Sequence, residues 1–299
     1  MTDTDDRPLQ IGSGVDADAP PTAFVPAHVT GFFTAEPDDD DPTRAGSTGA
    51  GLALSDGVTV RVESATPGTY EVVLDGEPLD ITAPKRVLRA LRVDGARVLA
   101  HSDVPLASGF GVSGALALGT ALCANAVFDR ELSENELVTI AHGAEVQAGT
   151  GLGDVVAQAR GGVPVRLEPG APGHGAMDGV PARSRVEYVT LGELSTEAVL
   201  SGDTAELTRA GERALSALVQ EPTLDRFLRA SRRFAREAEL LTDRVRDVII
   251  DVNEADGSGS MAMLGETVFA LGTGLSDAGH DPSVCRVHPT GAHLTLDGW

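Results

Sequence analysis

Apolar and polar residues alternate with a period of two along Val58-Thr59-Val60-Arg61-Val62-Glu63. That spacing predicts a strand with one buried face. Tyr70-Glu71-Val72-Val73-Leu74 predicts a second strand, and Asp75-Gly76 after it supplies a hairpin turn. Val87 to Val93 reads as a short helix or the end of one. The period changes to that of a helix over Leu132 to Gln147, opened by Ser133 with Glu136 three residues on, the pattern of a capping box. A glycine pair, Gly161-Gly162, leads into a strand over Val163 to Leu167. The Gly- and Pro-rich stretch Glu168 to Arg185 predicts a loop, and Val186 to Thr190 a further strand. Helical spacing then covers roughly Asp203–Val219, Leu224–Glu239 and Leu240–Asn253, until Asp256-Gly257-Ser258-Gly259-Ser260 breaks it. Thr267 to Leu271 reads as a strand or a helix start, and Val284–Val287 and His293–Leu296 as strands. Strands dominate early, helices occupy the middle and a mixed segment closes the chain. This is an α+β plan in two lobes with a cleft between them. The lobes are expected at 23–190 and 191–299, behind an acidic, Gly- and Pro-rich leader, 1–22, that is predicted to be disordered.

Composition adds a constraint on partners. The formal net charge is -22, and Lys85 is the single lysine among 23 basic residues. Such a surface repels nucleic acid and anionic membranes, so neither is expected as a partner. It suits the salt-rich cytoplasm of a halophile, where screening removes the repulsion between crowded carboxylates. Acidic residues are therefore discounted as site evidence, and Asp38-Asp39-Asp40-Asp41 is read as a solvated loop. Cys123 and Cys285 give neither a disulfide framework nor metal spacing. With no membrane-length apolar run and no signal pattern, the expectation is a soluble cytoplasmic protein. A homodimer is left open.

Candidate chemistry starts at Pro105-Leu106-Ala107-Ser108-Gly109-Phe110-Gly111-Val112-Ser113-Gly114-Ala115, a glycine-rich turn running into a small-residue helix, Ala115 to Val127. Glycines let the backbone approach a ligand, and the free N–H groups of a helix start favour an anion. Gly109-x-Gly111-x-x-Gly114, with Asp129 beyond, matches a dinucleotide fingerprint. The residues before it, His101 to Ser108, are polar and broken by proline, whereas a dinucleotide turn follows directly from an apolar strand. No Gly-Lys-Ser/Thr phosphate loop occurs. Alone, the motif fits a phosphate site or a purely structural turn equally well.

Its neighbours extend the pattern. The stretch resembles the Pro-x-x-x-Gly-Leu-Gly-Ser-Ser-Ala-Ala phosphate motif of the GHMP kinases, with Phe110, Val112 and Gly114 as departures and Ser113 retained. Phe24-Val25-Pro26-Ala27-His28-Val29-Thr30-Gly31 resembles that family's first motif, and Gly149-Thr150-Gly151-Leu152-Gly153-Asp154 its aspartate-bearing segment. Ser258 to Gly265 matches the third motif loosely. The departures, with Ala45-Gly46-Ser47, resemble an archaeal branch of the family whose acceptor is pantoate; mevalonate- and homoserine-type kinases and a non-catalytic nucleotide-binding regulator are the alternatives.

The resemblance implies a two-lobed GHMP-kinase-like fold, ATP with Mg²⁺, and phosphoryl transfer to a small alcohol. Pro105, Ser108, Gly109, Phe110, Gly111, Val112, Ser113 and Gly114 would cradle the phosphates. Asp154 is the expected base, and Ser113 and Glu145 the expected Mg²⁺ ligands and catalytic partners. Arg166 is expected to pair with the acceptor's carboxylate, and His142, Ser47 and Thr196 to contact the acceptor. His142 precedes Glu145 by three residues, so both can point one way from one helix. His28 is expected to be structural.

Overall fold

The computed structural model describes residues 20–38, 40–192 and 204–295. The chain opens with strands β1 (Thr22–Phe33), β2 (Gly49–Ser64), β3 (Tyr70–Leu74) and β4 (Glu77–Pro78), helix α1 (Thr82–Ala90) and strand β5 (Ala96–Ser102). Helices α2 (Val112–Val127), α3 (Glu134–Ala148) and α4 (Asp154–Arg160) follow, then strands β6 (Pro164–Glu168), β7 (Ala176–Gly179) and β8 (Arg185–Gly192). Next come α5 (Ala205–Gln220), α6 (Leu224–Glu237), α7 (Asp243–Glu254), β9 (Gly259–Ala262) and β10 (Glu266–Leu271). The last elements are the short α8 (Gly274–Asp277), β11 (Ser283–Arg286) and β12 (His293–Thr295).

Two sheets organise these elements. The larger runs β12-β1-β2-β5-β3-β4, with β6 added beside β2 and β7 beside β6; the smaller runs β11-β8-β10-β9. The α+β plan holds. The expected division near residue 190 does not follow the strands, because β8 pairs with β10 and β11 and so belongs with the second sheet. The chain later returns to the first sheet through the pairing of Thr22 with Thr295. Thr22, expected in the leader, is the first residue of β1.

The helix over residues 134–148 is opened as its spacing predicts. Ser133 Oγ accepts from the Glu136 amide, and the Glu136 carboxylate accepts from the Ser133 amide at 2.8 Å. By contrast, α2 begins at Val112, three residues before its expected start, because Gly111 in the left-handed region (φ 65°) turns the chain directly into the helix. Apolar on all sides, α2 lies between β1 and β2 on one side and α1 and α3 on the other. Gly119 permits that close approach: a Cβ there would stand 2.5 Å from a Val60 methyl. The strand β5 ends at Ser102, and residues 103–108 separate it from the glycine turn. That spacing agrees with setting the dinucleotide fingerprint aside.

Strand β1 slips register against β2 between Pro26 and His28 and again between Thr30 and Phe32. Such bulges re-aim side chains next to functional sites. Here the stretch between them carries His28 and Thr30, two residues apart on one face, towards the start of α4.

Candidate active site

The glycine turn, the end of α3 and the start of α4 enclose a cavity of about 320 Å³. Among its lining residues are Gly109, Phe110, Gly111, Val112, Ser113, Gly114, Glu145, Thr150 and Asp154. The first α2 hydrogen bond runs from the Ala115 amide to the Gly111 carbonyl at 3.0 Å. The amides of Val112, Ser113 and Gly114 consequently have no acceptor inside the helix. Three donors at the positive end of a 16-residue helix are an anion cradle. Gly109 and Gly111 both have positive φ, 84° and 65°, and bend the chain around that end.

Not every residue assigned to the turn reaches the cavity. Pro105 and Ser108 are absent from its wall. Ser108 is buried; its hydroxyl bonds the Leu106 carbonyl and its own carbonyl accepts from Thr267 Oγ1 at 2.8 Å. It ties the turn to β10 instead of facing a ligand. The Phe110 ring lies edge-on to Tyr188 with centroids 4.8 Å apart, which joins the turn to the second sheet. The loosely matched third motif arrives at the same place. Gly265 sits so close to the Ser108 carbonyl that a Cβ would meet it at 2.1 Å, and Leu264 (φ 65°) lines the cavity with Met263.

Two carboxylates converge at the floor. Ser113 Oγ donates to Glu145 Oε1 at 2.6 Å, and Thr150 Oγ1 donates to the same oxygen at 2.9 Å. Burial pushes the Glu145 carboxyl up to about 7, against the pull of both hydroxyls, and the nearby Asp154 charge adds to the rise. A Cβ placed on Gly151 would lie 2.9 Å from Glu145 Oε2 and 3.6 Å from Asp154 Oδ2. The space kept clear by this glycine is therefore flanked by both carboxylates.

Asp154 is the first residue of α4, and its side chain is 23% exposed, so it reaches the cavity. His28 Nδ1 stands 2.7 Å from Asp154 Oδ1. Burial raises the Asp154 pKa, but the hydrogen bond with His28, the charge of Arg166 and the nearby Thr30 hydroxyl more than cancel it and hold the carboxyl below the usual range. His28 is itself held neutral by burial, so it acts through its N–H and not through a full charge. Sequence reasoning set His28 aside as structural. The contact joins the first motif to Asp154 across 126 residues of chain.

A smaller recess opens beyond Asp154, lined by Thr30, Phe33, Ser47, Gly151, Leu152, Gly153, Arg166 and Leu264. Arg166 is buried on β6; Nε donates to the Ser47 carbonyl at 3.1 Å, while Nη1 has no partner. Burial lowers its pKa to about 10, still far above neutrality, so the guanidinium stays charged. Ser47 and Arg166 thus line one recess together, beside Asp154. His142 does not line either cavity. Its Nε2–H donates to the Ala45 carbonyl at 2.8 Å and ties the Ala45–Ser47 segment to α3. Thr196 lies outside the described residues.

Mg²⁺ keeps several waters and takes one or two carboxylates together with phosphate oxygens. No cluster of three or more His, Cys, Asp or Glu suited to a metal exists among the described residues. Ser113 and Glu145 at the anion cradle are the donor set such an ion needs, and the unneutralised, deeply buried Glu145 carboxyl is the group that would gain most from it.

Residues 81–162 match the model of the GHMP kinases N terminal domain. Pantoate kinase from Thermococcus kodakarensis is 37% identical over 264 residues, covering 83% of this chain and 86% of that protein. Pantoate kinase from Methanocaldococcus jannaschii is 31% identical over 276 residues, covering 89% and 99%. A solved structure described as a phosphotransferase related to CoA biosynthesis pathway superimposes with a TM-score of 0.81 at 30% identity, covering 92% of this chain and 98% of that one.

Proposed function

Because the chain belongs to the GHMP kinases, we propose that it transfers the γ-phosphoryl group of ATP to the primary hydroxyl of pantoate, giving ADP and 4-phosphopantoate for coenzyme A synthesis. It is an ATP-dependent small-molecule kinase. The observation that carries the choice of acceptor is the recess beside Asp154, where a buried guanidinium with a free Nη1 meets apolar walls from Phe33, Leu152 and Leu264. Pantoate offers a carboxylate to Arg166 and a dimethyl-bearing carbon to those walls. Among the described residues, Asp154 is the only acid that lines the recess, so the ammonium of homoserine would face Arg166 without a counter-charge of its own.

The proposed division of labour follows the geometry. The triphosphate lies on the Val112, Ser113 and Gly114 amides, which are oriented by the fold and need no reorganisation as charge shifts. Ser113 and Glu145 would hold Mg²⁺, whose charge offsets that of the phosphates when it is bound. Asp154 Oδ2 accepts the hydroxyl proton as the oxygen–phosphorus bond forms and the bond to the bridging oxygen of the leaving ADP breaks. A carboxyl held below its usual pKa is ionised and ready at neutral pH. Arg166 and Ser47 fix the acid end, so the far hydroxyl is aimed at Asp154. We place the reaction in the cytoplasm, where ATP is kept and two buried free thiols, Cys123 and Cys285, stay reduced. A homodimer is proposed for the assembly.

ADP release with Mg-ATP, compared side by side for pantoate, mevalonate and homoserine in concentrated KCl, tests the reading. Pantoate should give the highest kcat/KM, and Asp154→Asn should lose turnover by at least about 10³-fold while still binding ATP. Preference for another acceptor, or normal turnover by Asp154→Asn, would remove it.

A further inference from the structure

His28 is a buried titratable group at the site that the reaction above leaves without a task. The side chain is inaccessible to solvent and sits between the two bulges of β1. Its backbone amide donates to the Phe110 carbonyl at 3.0 Å, inside the glycine turn, while its ring nitrogen meets Asp154 at 2.7 Å. One residue thus touches both the anion cradle and the expected base.

The ring has a single usable nitrogen. Nε2 is buried and has no hydrogen-bond partner. Gly51 packs against it so closely that a Cβ there would lie 2.1 Å away. This fixes the tautomer. With the proton on Nδ1, the ring donates to the carboxylate and leaves only a bare acceptor at Nε2. With the proton on Nε2, a buried N–H would have no acceptor and two lone pairs would face each other across 2.7 Å. A neutral imidazole protonated at Nδ1 is the state that the surroundings accept.

We propose that His28 is the positioning residue of the phosphoryl transfer. Its Nδ1–H occupies Asp154 Oδ1 and turns Oδ2 towards the clearing at Gly151, where it meets the hydroxyl of the acceptor. Its backbone keeps that carboxylate in register with the phosphates. The assignment rests on Asp154 being the base. The reacting hydroxyl must sit within hydrogen-bond reach of Oδ2, and a misplacement of about 1 Å can lower a rate about 10²-fold. A carboxylate free to rotate at the mouth of a helix would not hold that line.

Asparagine and glutamine separate this role from simple packing. The side-chain amide of His28→Asn falls where Nδ1 lies and keeps the donor to Asp154. That of His28→Gln reaches the place of Nε2, against Gly51, and gives the donor up. Both delete the ring. We expect His28→Asn to keep kcat within about tenfold of the parent, and His28→Gln and His28→Ala to lose about 10²-fold or more, with the KM for ATP little changed in all three. Rates are read per folded molecule, with far-ultraviolet circular dichroism confirming the native fold at the assay temperature. Equal kcat for the Asn and Gln variants, or losses that track only the folded fraction, would overturn the proposal. Measuring Asp154→Asn alongside separates the two levels. An inactive Asp154→Asn with a fully active His28→Gln removes His28 alone, whereas an active Asp154→Asn removes the base on which it rests.

Discussion

A carboxyl whose titration is lifted to the neutral range leaves a mark on stability as well as on chemistry. Glu145 is 2% exposed, and burial lifts its pKa to about 7 from 4.5. The folded state therefore holds a proton that the unfolded chain has released, and Glu145 lowers stability progressively as pH rises from about 4.5 to about 7. Above that window the penalty is complete. Replacement by Gln keeps an acceptor for Ser113 and Thr150 without the charge. In the absence of Mg²⁺, Glu145→Gln should gain up to about 3 kcal/mol at pH 8 and nothing near pH 4, measured by urea unfolding in chelator. No gain at pH 8 would mean that the carboxylate is solvated. At this scale glycine flanks and motif spacing, which are local signals, point to Ser113, Glu145, Asp154 and Arg166, and the fold brings the Ser113 hydroxyl onto Glu145 and keeps Glu145 and Asp154 on either side of Gly151. The contacts of His28 and His142 were not legible for the opposite reason. Each finds its partner, Asp154 or the Ala45 carbonyl, far along the chain. A spacing of three residues correctly put His142 beside Glu145, but nothing in the helix says what faces it.

At the scale of elements, the site depends on glycines that let one segment lie on another. Gly153, the N-cap of α4, has an extended φ of -163° that any residue can adopt, so its requirement is purely steric. A Cβ there would stand 2.4 Å from Ser47 Oγ and 2.7 Å from Arg166 Nε. Gly153→Ala must push the guanidinium off its bond to the Ser47 carbonyl. The KM for pantoate should rise about tenfold or more, while the KM for ATP, which depends on α2, changes far less. Equal rises in both would mean that α4 moves as a whole. The same packing logic explains which elements were readable. The capping box opening α3 is a local signal and places that helix within two residues. The start of α2 was misjudged because Val112, Ser113 and Gly114 are weak helix formers. Burial against β1 and β2, with Gly111 turning the chain, overrides that preference. The four-residue β9 hides in a Gly- and Ser-rich stretch that reads as a breaker, since pairing with β10 and not periodicity makes it a strand.

Over the whole molecule, the alternation of early strands and middle helices was enough for the α+β plan, but not for the way the ends meet. The sequence marks β12 as a strand but not its partner, because its register is set by β1, the most distant strand in the chain. Net charge acts at this same scale. A formal charge of -22 on one chain is self-repulsion that grows with compaction, so it weighs on the folded state more than on the unfolded one. Arginines such as Arg213 and Arg233, which share Glu237, offset part of it locally. Such exposed pairs contribute little each and weaken in salt, so they cannot account for a gain on adding it. Screening of the net charge should, and it has a signature. The Debye length falls from about 10 Å at 0.1 M to about 3 Å at 1 M, so the benefit should be steep at first and flatten once neighbouring carboxylates no longer sense each other. We expect the melting temperature to rise by about 10 °C between about 0.05 and 1 M KCl, with NaCl giving nearly the same curve. A hydrophobic salting effect would instead keep climbing beyond 1 M and be larger for sulfate than for chloride. Melting curves in the three salts decide between them, and a flat response to KCl would show that the acidic surface carries no net repulsion to screen.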